Sequence, residues 1–292
     1  MDYIQIVILI TGAGGKTGRA IIKSLSNSES VRAIIHREEA VPVIRSLGAT
    51  DIVVGDMCDE ETIRSAMHDV RAIYHICPNM SPDEVEIGKL VIREAKLEGV
   101  EHFVYHSVLH PQTEKMKHHW GKMRVKESLF ESSIPFTILQ PAPYMQNLLA
   151  GWQNIIEEGV LHVPYSVHSK FSFVDLEDIA EVARIVLTKP NHKNAIYELA
   201  GTMPTSHAEV AEVFSDVLNR VVRAEEDEFG DWKSRARGIG EYAVENLVNM
   251  FEYYDRWGLI GNINVLTWLL KRKPTSLEAF IAAIARENNA GS

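Results

Sequence analysis

A short glycine-spaced segment, ITGAGGKTGRA at Ile10–Ala20, has the residue types and spacing of a phosphate-binding turn. Its glycines recur every third residue between an apolar run and a helical pattern. Glycine allows a tight turn and a close approach of backbone N–H groups to a pyrophosphate, and the following helix adds positive potential. The segment therefore predicts a dinucleotide site, and the alternative is a glycine-rich turn without a ligand. The candidate binding residues of the turn are Gly12, Gly14, Gly15, Lys16, Thr17 and Gly18.

The residues after the second predicted strand indicate which dinucleotide binds. An NAD site usually has an Asp or Glu roughly twenty residues beyond the turn, where it accepts the ribose hydroxyls. This chain instead has His36 and Arg37, and a guanidinium suits a 2′-phosphate by charge and by bidentate geometry. Glu38 and Glu39 are expected to open the next helix, where acids suit the dipole. NADP(H) is the expected cofactor, unless Arg37 is a solvated surface side chain.

Further candidate cofactor contacts follow the third and fourth predicted strands. Asp56, with Met57 beside it, is placed to meet the adenine amino group. Cys77, Pro78 and Asn79 follow the fourth strand and are expected to line the middle of the cofactor. Both groups of residues are candidates because they follow predicted strands, and ligands bind outside the carboxyl ends of parallel strands in folds of this kind.

One segment is rich in histidine, and strand and helix spacings allow two or three of its imidazoles to meet. A zinc site needs three ordered ligands and usually a carboxylate behind them. The spacing here matches no recognised metal motif, so no metal site is expected. The histidines are His102, His106, His110, His118 and His119.

The elements that must position these residues alternate regularly. Short β-branched runs such as IQIVILI at Ile4–Ile10 predict buried parallel strands, and amphipathic helices separate them. Capping residues mark several helix ends, namely Asp59, Ser81, Gly99 and a capping box from Thr275 to Glu278. Five strands alternating with helices predict an α/β fold with a doubly wound parallel sheet of the Rossmann type.

The regular alternation of predicted strands and helices becomes less clear after the sixth predicted strand, FTILQP. We therefore expect an NADP-binding core over residues 1–150 and a smaller, mostly helical C-terminal substrate lobe over 151–292, with some segments returning to the core sheet. The aromatic residues of this lobe form either an apolar wall for a substrate or a helical core. They are Trp232, Tyr242, Phe251, Tyr253, Tyr254 and Trp257.

Composition narrows the class of protein. The chain has 292 residues, 46% hydrophobic and 24% charged residues, which is typical of globular proteins. The net charge of −10 argues against direct nucleic-acid binding, which normally needs a basic stripe. Two cysteines, Cys58 and Cys77, exclude a disulfide framework, and no signal peptide or membrane span is apparent. We expect a cytoplasmic protein.

Several segments in order resemble the NmrA-like branch of the atypical short-chain dehydrogenases/reductases. They are ITGAGGKTGRAI, VRAIIHR, VVGDM, HHWGKMRVKESLFESSIPFTILQPAPYMQN and FVDLEDIAEVA, and the late LTWLLKRKPTSLEAFI is similar to the usual ending of the family. The resemblance covers about residues 4–200 and implies the Rossmann fold and an NAD(P) cofactor. It leaves the reaction open, because the branch contains both reductases and catalytically silent regulators.

The resemblance also implies a catalytic region. The wider superfamily has a Tyr and, four residues later, a Lys that lowers the pKa of the phenol and holds the nicotinamide ribose. Lys122 stands at the lysine position, but His118 replaces the tyrosine. His118 or the adjacent His119 is a candidate proton donor, and Ser107 occupies the place of the helper serine. The alternatives are a surface Lys122 and a solvated or capping His118.

The segment after the sixth strand completes the candidate site. Pro141 and Ala142 are expected to flank the nicotinamide, while Tyr144 and Asn147 are candidates to meet the substrate. The alternative for Tyr144 is a core aromatic at helical spacing with Leu148.

Two functions remain open on these grounds. The first is an NADP(H)-binding oxidoreductase that reduces a quinone, enone, imine or carbonyl by hydride transfer. The second is a catalytically silent NADP(H) sensor that acts through a protein partner. The missing tyrosine favours the second, and no segment identifies a partner surface.

Overall fold

The computed structural model describes residues 7–227, 232, 238 and 240–290. Its strands, numbered in chain order, are β1 Val7–Ile10, β2 Ser30–Ile35, β3 Asp51–Val54, β4 Val70–His75, β5 His102–His106, β6 Phe136–Pro141, β7 Val160–Val163, β8 Lys170–Phe171, β9 Ala195–Leu199, β10 Thr205–Ser206 and β11 Arg223–Glu226. Seven of them form one sheet in the order β3-β2-β1-β4-β5-β6-β9. Strand pairs from β3 to β6 run parallel, which confirms the predicted doubly wound sheet.

Helices connect these strands. They are α1 Lys16–Leu25, α2 Val41–Ser46, α3 Glu60–Met67, α4 Glu84–Glu98, α5 Lys117–Glu131, α6 Trp152–Glu157, α7 Leu176–Thr188, α8 His207–Leu218, α9 Glu241–Trp257, α10 Ile263–Leu270 and α11 Leu277–Ala290. Two 3-10 helices occur among the described residues, at Glu38–Ala40 and at Met145–Gly151. No described helix combines the length and the apolar character needed to cross a membrane.

Local capping chemistry explains several helix boundaries. The Asp59 side chain accepts a hydrogen bond from the Thr62 amide at 2.9 Å and so starts α3 as predicted. Gly99, with φ of +76°, ends α4 in the left-handed region that glycine adopts at least cost. Glu38 and Glu39 open the 3-10 segment after β2, where acids were expected.

Two predicted caps are shifted along the chain. Helix α4 begins at Glu84 with Asp83 as its N-cap residue, while the Ser81 hydroxyl accepts from the Asp83 amide within the preceding turn. At α11 the Ser276 hydroxyl accepts from the Ala279 amide, so Ser276 caps the helix. The Thr275 amide, which the predicted capping box would pair with Glu278, donates instead to the buried Asp178 carboxylate. Of the predicted first strand, positions 4–6 lie outside the described residues.

The chain divides into two compact units. The first comprises residues 1–114, 118–140 and 179–197, and its core packs β-branched, leucine and aromatic side chains from the sheet against α3, α4 and α5. Burial of this apolar surface is the main driving force for forming the unit. Leu9, Ile73, Phe103 and Tyr105 are fully buried there.

The second unit comprises residues 115–117, 141–178 and 198–292. An aromatic cluster lies in it, where the Tyr254 ring centroid is 5.4 Å from Phe171 and 5.9 Å from Tyr165. Tyr254 is therefore a core residue, whereas Trp257 is 60% exposed. Trp232 contacts Phe251 with ring centroids 4.7 Å apart, and residues 228–231, 233–237 and 239 lie outside the described residues.

Candidate functional site

The turn between β1 and α1 requires glycine at two positions. Gly12 has φ of +57°, and a Cβ there would lie 2.7 Å from the Ile76 carbonyl oxygen. A Cβ at Gly18 would lie 2.6 Å from the Cα of Ala13, so this glycine lets the first turn of α1 pack against the loop. The predicted motif thus gives a tight turn with close helix–strand packing.

The opening of α1 fits an anionic group. Gly15 is the N-cap residue, so no side chain caps the helix, and no acidic residue lies in its first turn. A Cβ on Gly14 would lie 3.9 Å from Ile35 Cγ2, which is an ordinary van der Waals contact. Backbone N–H groups and the helix dipole at such an opening favour a phosphate. The residues present therefore fit a pyrophosphate.

Thr11 ties this turn to the end of β4. Its hydroxyl donates to the Ile76 carbonyl at 3.0 Å and accepts from the Ile76 amide at 2.8 Å. His75 Nδ1 lies 2.9 Å from the same hydroxyl. Because the single hydroxyl proton is already donated, His75 Nδ1 must donate in turn. Its Nε2 is then an acceptor, buried and without a hydrogen-bond partner among the residues described.

The residues predicted to select the cofactor lie at the ends of β2 and β3. Arg37 is exposed directly after β2, in extended backbone, and its guanidinium forms no ion pair within the described part of the chain. Asp56 is exposed after β3 and its carboxylate accepts from the Cys58 amide at 2.9 Å. Met57 is buried. These positions match the expected strand ends, and their contacts with a cofactor remain a prediction.

The candidate cofactor contacts after β4 differ in their exposure to solvent. Cys77 is buried, whereas Pro78 and Asn79 are exposed. Burial, followed by the nearby Glu84 charge, raises the pKa of the Cys77 thiol. Cys77 is therefore protonated at neutral pH, and any contact it makes with a ligand is that of a thiol.

Lys122 is buried, which excludes the alternative of a surface lysine. Only 6% of the residue is exposed, and Nζ donates to Glu84 Oε1 at 3.0 Å. The Tyr105 hydroxyl donates to the same oxygen at 2.9 Å. The ammonium also lies 5.8 Å from the centre of the Tyr105 ring. We call Glu84, Tyr105 and Lys122 the lysine cluster.

The lysine cluster holds a full ion pair out of water. Burial raises the pKa of Glu84, but the Lys122 charge and hydrogen bond, the nearby His118 and the Tyr105 hydroxyl together outweigh it. The pKa of Glu84 therefore lies below its ordinary value of 4.5. Burial, with the Glu84 charge, raises the pKa of Tyr105, which stays a phenol and a hydrogen-bond donor.

His118 lies one turn before Lys122 and is buried as well. Burial, helped by the Lys122 charge, lowers the pKa of His118 from 6.5 to about 3. The imidazole is therefore neutral at neutral pH and has no imidazolium proton to donate. His118 is therefore neither a solvated histidine nor a charged general acid.

Three of the other histidines each contact a different hydrogen-bonding group. His119 Nδ1 lies 3.3 Å from the His110 carbonyl, and burial lowers its pKa to about 4. His106 Nδ1 lies 2.7 Å from the Tyr74 hydroxyl, and His102 Nε2 lies 2.8 Å from Thr137 Oγ1. Within the described ranges, no three of the five predicted histidines bring ligand atoms together.

Ser107 lies directly after β5, where the helper serine was predicted. Its amide donates to the Leu139 carbonyl at 2.8 Å, and its hydroxyl is buried without a partner in the described chain. A buried polar group without a partner is costly, and such groups concentrate where ligands bind. The serine hydroxyl is thus available at the carboxyl end of the sheet.

The remaining predicted residues belong to the second unit. The Ala142 amide donates to the Leu199 carbonyl at 3.0 Å, and Pro141 is buried. Tyr144 is half-buried at the start of the 3-10 segment, and Asn147 is exposed. Their roles beside a nicotinamide or a substrate stay predictions.

Sequence reasoning missed Glu84 and Tyr105. Glu84 stands in the first turn of a helix, where an acid usually needs no explanation beyond the dipole. Tyr105 lies inside β5, and nothing in the residue pattern of that strand distinguishes it. The signal that points to both is the burial of Lys122, because a buried ammonium requires a carboxylate and further donors around it.

Comparisons with known proteins agree with the fold. NAD(P)H azoreductase of Xenophilus azovorans is 31% identical over 220 residues, which cover 74% of this chain and 76% of that protein. Quinone oxidoreductase 2 of Escherichia coli is 25% identical over 289 residues, 97% of this chain and 100% of that protein.

A solved structure shows the same fold over nearly the whole chain. It is the NADPH-dependent quinone oxidoreductase QOR2 of Escherichia coli complexed with NADPH, with a TM-score of 0.84 and 23% identity over 95% of this chain and 99% of that one. The sequence model of the NmrA-like family matches residues 5–281. The chain therefore belongs to the NmrA-like family.

Proposed function

We propose that this protein is an NADP(H)-dependent reductase of a small organic molecule such as a quinone, enone, imine or carbonyl compound. The observation that carries the proposal is the buried lysine cluster at the carboxyl edge of the parallel sheet. The glycine turn lies at the same edge, because Thr11 after β1 bonds His75 at the end of β4. The names of the azoreductase and quinone oxidoreductase relatives support an NAD(P)H-dependent reduction.

The chain offers a residue for each part of the cofactor. The glycine turn and the opening of α1 would hold the pyrophosphate, Arg37 the 2′-phosphate and Asp56 the adenine amino group. Lys122 would hold the nicotinamide ribose, with Ser107 beside it. When bound, NADPH supplies the hydride that the reduction requires.

The protein must also provide a proton to the reduced substrate. His118 is neutral at neutral pH because burial lowers its pKa to about 3, so it is a poor general acid. The Tyr144 hydroxyl or a water molecule is the better source. On sequence grounds, Tyr144 and Asn147 remain candidates to meet the substrate, and Pro141 and Ala142 remain candidates to flank the nicotinamide.

The assay is oxidation of NADPH by the purified protein, followed by absorbance, with a panel of quinones and azo dyes. We expect turnover with at least one member of the panel, and a loss of turnover in Lys122→Met. Lys89→Met is the matched control, since Lys89 is exposed and pairs with the exposed Glu86. Absence of turnover with every compound, together with normal NADP(H) binding, contradicts the reductase.

The second candidate is the catalytically silent sensor that acts through a protein partner. Replacement of the tyrosine by a buried neutral His118 favours it, because this site then lacks the usual proton donor. A sensor must bind the oxidised and reduced cofactors with different free energies, since equal affinities shift no population. Equal dissociation constants for NADP⁺ and NADPH therefore exclude this candidate.

A further inference from the structure

Glu84 is an unusual acid for the start of a helix. As the first residue of α4 it needs no burial to interact with the helix dipole, yet only 3% of it is exposed. Glu86 in the same turn shows the ordinary arrangement, with a side chain 75% exposed and 2.9 Å from Lys89. A buried carboxylate is costly unless it is paired, so its placement calls for a specific role.

Both hydrogen bonds that Glu84 accepts are made to the same carboxylate oxygen. Lys122 Nζ and the Tyr105 hydroxyl both donate to Oε1, at 3.0 and 2.9 Å. The second oxygen, Oε2, is buried and has no hydrogen-bond partner in the described ranges. Two donors on one oxygen fix the carboxylate plane, and they fix Lys122 Nζ at the end of its flexible side chain.

The other groups that face Lys122 carry no charge to balance it. They come from β4 and the segment directly after it, from β5 and from α5, and burial keeps the imidazoles neutral and the phenol and thiol protonated. Glu84 therefore supplies the negative charge beside the ammonium. These neutral groups are His75, Cys77, Tyr105, His106, His118 and His119.

We propose that Glu84 is a positioning residue, whose carboxylate pairs with the buried Lys122 ammonium and fixes it where it holds the dinucleotide. This inference rests on the proposed function, because it assigns the cofactor to Lys122.

The proposal predicts a change in the pH dependence of binding. Without a carboxylate beside it, a buried ammonium releases its proton more readily as the pH rises. Glu84→Gln keeps the shape and one accepting oxygen, and it replaces the charged carboxylate by a neutral amide. Glu84→Asp keeps the charge on a side chain one methylene shorter.

The test is calorimetric titration with NADP⁺ from about pH 7 to about pH 9, a range in which the buried histidines stay neutral. We expect Glu84→Gln to bind about tenfold more weakly than wild type and to weaken further as the pH rises. Glu84→Asp is expected to bind at an intermediate affinity that stays level with pH. Glu86→Gln removes an exposed carboxylate from the same turn and should match wild type.

The possible outcomes separate this role from the cofactor assignment itself. If the wild-type protein binds no NADP⁺, the proposed function fails. If the wild-type protein binds and Glu84→Gln matches its affinity at every pH, the role of Glu84 is overturned and the function stands. If Glu84→Gln does not fold, as circular dichroism will show, Glu84→Asp decides: reduced, pH-independent affinity supports the role, and wild-type affinity overturns it.

Discussion

The glycine turn and the lysine cluster lie at the same edge of one sheet and are built in opposite ways. The turn uses backbone, and its essential positions, Gly12 and Gly18, belong to one short segment. The cluster uses side chains of α4, β5 and α5, with Glu84 and Lys122 separated by 38 positions in sequence. The turn offers a ligand backbone N–H groups, the helix dipole and the charged side chain of Lys16, whereas the cluster holds a full ion pair away from water.

This difference decides how each region responds to change. A backbone site fails by steric overlap, which is independent of pH. A buried ionic site fails when a charge is removed or added, because the remaining charge then stays desolvated and unpaired. The predictions below separate the two responses.

The largest effect is expected from acid, which acts on the surroundings of the lysine cluster. In the unfolded chain the histidines titrate near 6.5, while burial lowers the pKa of His75 and His119 to about 4 and of His106 and His118 to about 3. Below about pH 6.5 the unfolded state binds protons that the folded state does not, so stability is full above that pH and declines below it.

Urea unfolding measured between pH 7 and pH 5.5 checks this. Each buried histidine should lower the free energy of unfolding by about 1 kcal/mol over that interval. His118→Asn should have a shallower pH dependence than wild type, since it removes one of these groups. A midpoint that stays constant between the two pH values contradicts the burial of neutral histidines.

Removing the ammonium from the cluster should be the next largest effect. Lys122→Met leaves the buried Glu84 carboxylate without its partner, which costs about 3–5 kcal/mol of stability. Urea unfolding at pH 7 measures the loss. The exposed control Lys89→Met should leave the midpoint unchanged. Equal midpoints for the two variants would show that the ion pair contributes nothing to the folded state.

A smaller loss is expected at the glycine turn. Gly18→Ala places a Cβ 2.6 Å from the Ala13 Cα, and relief of that overlap displaces the start of α1 at a cost of about 1–3 kcal/mol. The loss should not vary with pH, and NADP⁺ binding should weaken with it. Gly240→Ala is the control, because its Cβ meets no atom within 4 Å. A variant as stable as this control contradicts the steric account.

The smallest expected effect concerns the choice of cofactor. Arg37→Ala removes the exposed guanidinium after β2 and should weaken NADP⁺ binding about tenfold, or about 1.4 kcal/mol. NAD⁺ binding should stay the same, because NAD⁺ has no 2′-phosphate. Arg45→Ala, on the exposed face of α2, is the matched control. Equal losses for NADP⁺ and NAD⁺ would remove Arg37 from the 2′-phosphate site.

Sequence alone predicts the features that depend on local backbone. The parallel sheet, the glycine turn and the Asp59 cap follow from apolar runs and from residue types with special conformations. Even there, neighbouring polar residues compete, as at Ser81, where Asp83 takes the cap position. Boundaries therefore shift by a residue or two where several good caps stand side by side.

The side-chain pairs could not be predicted in the same way. Lys122 was located through its motif, but its partner depends on how α4 and α5 pack against the same strands. Thr275 illustrates the same limit, because its amide is occupied by Asp178, 97 residues earlier in the chain. Such contacts are set by tertiary packing, and local residue patterns carry little information about them.

The central claim is that this chain binds NADP(H) through the glycine turn, Arg37 and Lys122. Calorimetric titration with NADP⁺, NADPH, NAD⁺ and NADH tests it most directly. The account predicts binding of both NADP⁺ and NADPH, at least about tenfold tighter than the corresponding NAD forms. Absence of binding to all four contradicts the dinucleotide site, and equal affinity for the NAD and NADP forms contradicts the role of Arg37.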